Sequence, residues 1–201
     1  METMNNKEPE SEKNLEERLN KEVATFFDTE PNECNAVMHD SWDDLAQSWS
    51  VYHDDVSLQA PNWLVGYSAS KDTVHILSPS IMPAGHEKNG ELRFEKTLKH
   101  ELGHLYVRKI NGYSPHWLDE GVCQIMAGQT SNLPKGLDKI TVALLYEVDD
   151  SLADGRIYGI GKYMADQIMG NYGKGTLLEL VALKDKNAVY VKLKEMFSWL
   201  V

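Results

Sequence analysis

The chain predicts an α+β domain in which a small mixed β-sheet precedes a helical region. Three observations point there. Short runs with strand character, Ala36-Val37-Met38, Trp63 to Tyr67 and Thr73 to Leu77, all lie before Ser80. From Glu91 onward apolar residues instead recur at three- and four-residue steps, the period of helices buried on one face. A length of 201 residues with 42% hydrophobic content suits one domain with a sizeable core.

Met1 to about Asn14 is polar and acidic and contains Pro9, a composition that predicts disorder. Leu15, Leu19, Val23 and Phe26 or Phe27 then follow helical spacing, which predicts an amphipathic helix over Leu15 to Phe27. Residues 1–30 therefore read as an acidic N-terminal arm, partly disordered and carrying that helix, and 31–201 as a single domain. Ser41-Trp42-Asp43-Asp44-Leu45-Ala46 opens like a capped short helix. Ser70-Lys71-Asp72 is a polar turn between the second and third strands, and Ser78 to Gly90 is a Pro- and Gly-containing loop suited to the rim of a cleft. Beyond Gln129, Ile140 to Glu147, Ile157 to Met169 and Thr176 to Leu183 read as helices, the last two separated by Gly170-Asn171-Tyr172-Gly173.

Within the helix predicted from Glu91 stands His100-Glu101-Leu102-Gly103-His104. Histidines at i and i+4 lie one above the other on a helix face, so two imidazoles can converge on one Zn²⁺. Glu101 can hang beside the metal and take a proton from water without ligating the ion. Leu92, Phe94, Leu98, Leu102 and Leu105 form the buried stripe, and the histidines fall at its edge. Asn111-Gly112 supplies a stop, because Gly readily takes the left-handed conformation that ends helices. Ser114-Pro115 restarts a helix, with Ser as N-cap and Pro in the first turn.

That turn selects a third ligand. His104 and Glu120 each lie about two turns from the break, roughly 10 Å at ~1.5 Å per residue, so antiparallel helices bring them level. Two His and one Glu leave a fourth position open, the pattern of catalytic zinc. Gly121 would let the second helix approach the first closely. A longer H-E-x-x-H-x-x-G-x-x-H pattern fails at Val107 and Ile110.

With its H-E-L-G-H and Trp117-Leu118-Asp119-Glu120-Gly121 segments, the chain resembles the gluzincin metallopeptidases, specifically the small bacterial peptidase MA-like group. The resemblance extends from about Val37 to Leu183. Pro61 to Tyr67 with Thr73 to Leu77 resembles the strand pair before the active-site helix, and Arg156 to Gly159 through Asn171 to Gly173 resembles a tyrosine-led helix. It implies a zincin-like fold over 31–201 and a zinc-dependent peptidase with His100, His104 and Glu120 on the metal and Glu101 as general base. It also implies that Thr73 to Leu77 pairs with the substrate backbone by strand addition. It places Tyr158 at the head of a helix facing the cleft, as the donor to the oxyanion, a role that suits a phenol neutral at pH 7; His116 and Tyr113 are the other residues near the helix turn. The group usually carries an acid at the position of Gln124, which would hold a zinc-bound imidazole in its tautomer; neutral Gln124 accepts a hydrogen bond more weakly.

The charge balance, 31 acidic against 20 basic residues and a net −11, argues against nucleic acid or an anionic membrane as partner, and the resemblance implies a peptide or protein substrate. No apolar run is long enough to span a membrane, and the N-terminus lacks an apolar signal region, which predicts a cytoplasmic chain unless a leader has been removed. Cys34 and Cys123 are too few for a disulfide framework, and Cys123 reads as a small buried residue. His39, His53, His75 and His86 have no ligand spacing among themselves and read as solvated or core histidines. A second reading, a non-catalytic zinc-stabilised module that binds a peptide or partner, is separated from the peptidase by Glu101→Gln.

Overall fold

The structure is a computed structural model that describes residues 11–54, 59–85, 87–137, 139–150 and 154–200. In chain order it contains α1 (Glu12–Phe26), β1 (Asn35–His39), α2 (Trp42–Tyr52), β2 (Gly66–Ser68), β3 (Thr73–Leu77), α3 (Gly90–Ile110), α4 (His116–Met126), α5 (Val142–Asp150), α6 (Arg156–Ala182) and α7 (Lys186–Met196). The α+β class and the small mixed sheet are both present. β1 runs parallel to β3 from Asn35↔Thr73 to His39↔Leu77, and β2 runs antiparallel to it from Gly66↔Ile76 to Ser68↔Val74, giving the order β1-β3-β2.

This order corrects one expectation. Thr73 to Leu77 is the central strand, and both of its hydrogen-bonding edges are taken, so no peptide can add to it. Among the described residues the outer side of β2 carries no strand. The second strand is also shorter than its run of residues suggests. The Leu64 N–H donates to the Pro61 carbonyl at 2.9 Å, so a turn absorbs the start of the run and leaves Trp63 57% exposed.

α1 is capped by Ser11, whose hydroxyl accepts from the Asn14 N–H. Leu19, Val23, Ala24 and Phe27 are buried in the same core as the rest of the chain. Tyr106 of α3 ties the helix down: its hydroxyl donates to Asn20 Oδ1 at 2.6 Å and accepts from the Asn32 N–H at 2.8 Å, and its ring stacks on Phe27. Of the disorder expected from Met1 to about Asn14, residues 1–10 lie outside the described residues, as does His86, while Glu12 to Asn14 instead form the first turn of α1.

The α3–α4 turn forms where predicted, through different groups. α3 ends because Asn111 turns extended (φ −161°, ψ 106°), while Gly112 keeps a non-left-handed backbone. The Asn111 side-chain amide donates to the Val181 carbonyl at 3.0 Å, tying the turn to the end of α6. Ser114 does not cap α4; its hydroxyl donates to the Val181 carbonyl at 3.1 Å. The cap comes from elsewhere in the chain: the buried carboxylate of Asp149, on α5, accepts the His116 N–H and pairs with Lys186 at 3.0 Å.

The largest helix–helix contact is α4 on α6, and glycines make it. A Cβ on Gly121 would lie 2.3 Å from the Gly161 carbonyl oxygen, and one on Gly161 would lie 2.3 Å from that of Trp117. Gly121 therefore admits α6, not α3 as expected from the sequence. The glycine that lets α3 and α4 meet is Gly103, where a Cβ would stand 2.9 Å from Cys123 Sγ. α6 spans both helices expected between Ile157 and Leu183, broken at Gly173 (φ 85°, ψ 169°). α5 begins and ends a little later than expected, and α7, which buries Val189, Tyr190 and Leu193, has no counterpart in the sequence reading. No described helix is long and apolar enough to cross a membrane.

Candidate metal centre

α3 and α4 bring His100, His104 and Glu120 together, with all ligand atoms within 4.8 Å of one another. The i, i+4 spacing sets the two imidazoles edge to face, with Nε2 atoms 3.0 Å apart. Glu120 Oε2 lies 3.2 Å from His100 Nε2, and Oε1 lies 3.7 Å from His104 Nε2. A tetrahedral site with bonds of ~2.0–2.1 Å has edges of about 3.3 Å, and these three separations bracket that value. Glu120 Oε2 is buried with no hydrogen-bond partner. A buried carboxylate oxygen without a hydrogen bond, set beside an imidazole nitrogen, is a costly arrangement unless a cation completes it. The donor set and its spacing fit Zn²⁺.

The electrostatics agree. Burial works against a charge on His104, but Asp119, Cys123 and Glu120 outweigh it and hold its pKa well above the ordinary value. The site favours positive charge. Asp119 in turn is held below the usual carboxylate range: burial opposes this, and the attraction and hydrogen bond of His104 win. Burial pushes the Glu101 carboxyl up, moderated by His100 and His104. That is the direction a proton-exchanging carboxylate needs near neutral pH.

Asp119 is the residue that sequence reasoning missed. Its Oδ1 lies 2.8 Å from His104 Nδ1, so it orients the ring from behind while Nε2 faces the ligand cluster. The role expected of position 124 belongs here. Gln124 faces the other way, its Nε2 donating to the Tyr158 carbonyl at 2.9 Å and so joining α4 to α6. Adjacent acids, Asp119-Glu120, were the available signal, since neighbours on a helix point about 100° apart and can flank one imidazole. Cys123 is buried, 3.6 Å from His104 Nδ1 and 3.5 Å from Asp119 Oδ1. Burial pushes its thiol up to about 12, and His104, Asp119 and Cys123 form a second group whose candidate ligand atoms lie within 4.8 Å of one another.

Tyr158 sits at the start of α6, next to its N-terminal residue Arg156. Burial raises its pKa, and the negative fields of Glu120 and Glu101 add to the rise, so its phenol stays protonated. Its ring meets Trp63 edge-on at 6.1 Å, an exposed aromatic that the sequence did not single out. Tyr113, by contrast, is 67% exposed at the α3–α4 turn, and the backbone of His116 is engaged with Asp149. β2 closes one side: a Cβ on Gly66 would lie 3.3 Å from Thr97 Cγ2 and 3.4 Å from Glu101 Cγ. No family model, curated protein or solved structure matches the chain.

Proposed function

We propose that this chain is a zinc-dependent metallopeptidase of gluzincin type with a zincin-like fold, acting on peptides or proteins. The observation that carries the reading is the convergence of His100, His104 and Glu120 on one point with the buried Glu101 carboxyl one residue from the first ligand. His100, His104 and Glu120 would hold the ion. When bound, zinc supplies a Lewis acid for the scissile carbonyl and makes water a stronger acid.

The remaining work falls to side chains. Glu101 accepts a proton from the attacking water at its carboxylate and returns it to the leaving amine; its raised pKa suits both steps. Tyr158 offers a neutral O–H to the developing oxyanion. Asp119 keeps His104 in the tautomer that leaves Nε2 free for the metal. An extended substrate would lie along β2, not β3. The antiparallel alternation turns the peptide groups of Gly66 and Ser68 away from β3. The Ser68 carbonyl already accepts from Arg108 at 3.0 Å, which leaves Gly66, beside Glu101, as the free pairing point.

Two measurements test the reading. Elemental mass spectrometry of the purified chain should find about one zinc per molecule. Glu101→Gln should keep that zinc and lose about 10²–10⁴ of the turnover on a peptide library. A Glu101→Gln variant that cleaves as well as the wild type would remove the peptidase assignment.

A further inference from the structure

The sheet face opposite the metal centre carries a second set of imidazoles. Val74, Ile76 and Gly66 point toward α3; alternation therefore puts His75 and Tyr67, which pair across β3 and β2, on the other face. His39 joins them from β1, two residues beyond the Val37↔His75 pair. His39 Nε2 and His75 Nδ1 are 2.9 Å apart. The three rings form a row: Tyr67 stacks on His75 at 4.9 Å and 10°, and His75 on His39 at 5.2 Å and 23°. They line a groove of about 480 Å³ between the sheet and α2, whose wall adds Asp44, Gln47 and Ser48. The Tyr67 hydroxyl donates to Ser48 Oγ at 3.0 Å, which anchors one end of the row to α2.

We propose that His39 and His75 form a binding site for a late first-row divalent cation, Cu²⁺ above all. Two nitrogens held on adjacent strands are a chelate whose geometry the sheet has already set. The 2.9 Å hydrogen bond puts the two nitrogens close enough for one ion to take both, and Cu²⁺ binds imidazole more strongly than the other first-row divalent cations. A small turn of the rings directs both lone pairs toward the ion, and the N–H proton between the two nitrogens moves to the far nitrogen of its own ring as the tautomer changes. Water in the groove fills the remaining positions, and the Asp44 carboxylate on the wall exerts the stronger negative field on His39, ahead of Asp40. The site shares no residue with the zinc cluster and is independent of the peptidase reading.

The test uses the full chain carrying one equivalent of Zn²⁺ and titrated with Cu²⁺. Pulsed electron paramagnetic resonance should show a copper centre with two equatorial imidazoles at one equivalent. His39→Gln and His75→Gln should each lose the two-imidazole signal, while His53→Gln keeps it. The same signal in all the variants, or none in the wild type, overturns the site. Should either variant fail to fold, chemical labelling of the wild type decides. Cu²⁺ should shield His39 and His75 from diethyl pyrocarbonate, mapped by peptide mass, and equal labelling with and without Cu²⁺ refutes the proposal.

Discussion

Gly121→Ala sets helix propensity against packing at the residue next to Glu120, the third member of the candidate metal cluster. Alanine is the better helix former by about 1 kcal/mol, so propensity alone expects a stabilised protein. The structure expects the reverse. The new Cβ would sit 2.3 Å from the Gly161 carbonyl oxygen, 2.6 Å from its carbon and 3.0 Å from Ala165 Cβ. Carbon–oxygen contacts rarely close below about 3.3 Å, so α4 and α6 must part by about 1 Å. Two of those three atoms are backbone and cannot rotate aside. Overpacking of this kind costs about 1–3 kcal/mol; a clash against backbone belongs at the upper end, and the propensity gain leaves a net loss of about 2 kcal/mol. For a chain of this size that lowers Tm by about 4–8 °C. The same displacement moves Glu120 relative to His100 and His104, whose separations from it are 3.2 and 3.7 Å. Zinc affinity should fall by about 10–100-fold, the range seen when a supporting residue is lost. Differential scanning calorimetry and competition with a chromophoric chelator read the two effects. Gly112→Ala is the control, because nothing stands within 4 Å of its Cβ position, and it should stay within about 0.5 kcal/mol of wild type. A Gly121→Ala protein with an unchanged or raised Tm and wild-type zinc affinity would refute the argument that this glycine contact positions the ligand.

Further outcomes follow from other parts of the fold. Asp119→Asn should weaken zinc binding by about 10–100-fold with little change in Tm, since the amide keeps the shape but not the charge behind His104; chelator competition measures it, and an unchanged affinity removes Asp119 from the site. Burial lowers the pKa of both His39 and His75, against the pull of Asp44 and Asp40 for His39 and with the help of His39 for His75. The unfolded chain, with histidines near ~6.5, therefore binds more protons just below that pH. The stability these residues contribute is whole above ~6.5 and is lost as pH falls below it. His75→Gln should flatten the decline of Tm between about pH 7 and 5, and an undiminished slope would count against the burial argument.

The clustering of the candidate ligands was legible because it is local. An i, i+4 pair and a tight turn of known length constrain His100, His104 and Glu120 through helix geometry alone, and the rise per residue brings the third ligand level with the second. The strand Thr73–Leu77 and the kink near Gly173 were legible for the same reason: alternation and glycine chemistry act over a few residues. α7 escaped because Val189, Tyr190 and Leu193 are too few and too mixed with lysines to show a stripe.

What only the tertiary structure decided depends on residues far apart in the chain. Whether Asp119 or position 124 orients His104 turns on how far α4 is rotated about its axis, and that rotation is set by α6 pressing on Gly121. Which strand edge stays free turns on β1 inserting beside β3, a pairing across more than thirty residues of sequence. The cap of α4 comes from Asp149 on α5, and the end of α3 is held by carbonyls of α6. The sequence by itself determined the chemistry the chain can offer, since residue type and local spacing carry it. Packing determined which groups join the candidate metal cluster, which face a neighbouring helix, and which sheet face gathers His39 and His75, since those contacts exist only once the core has closed.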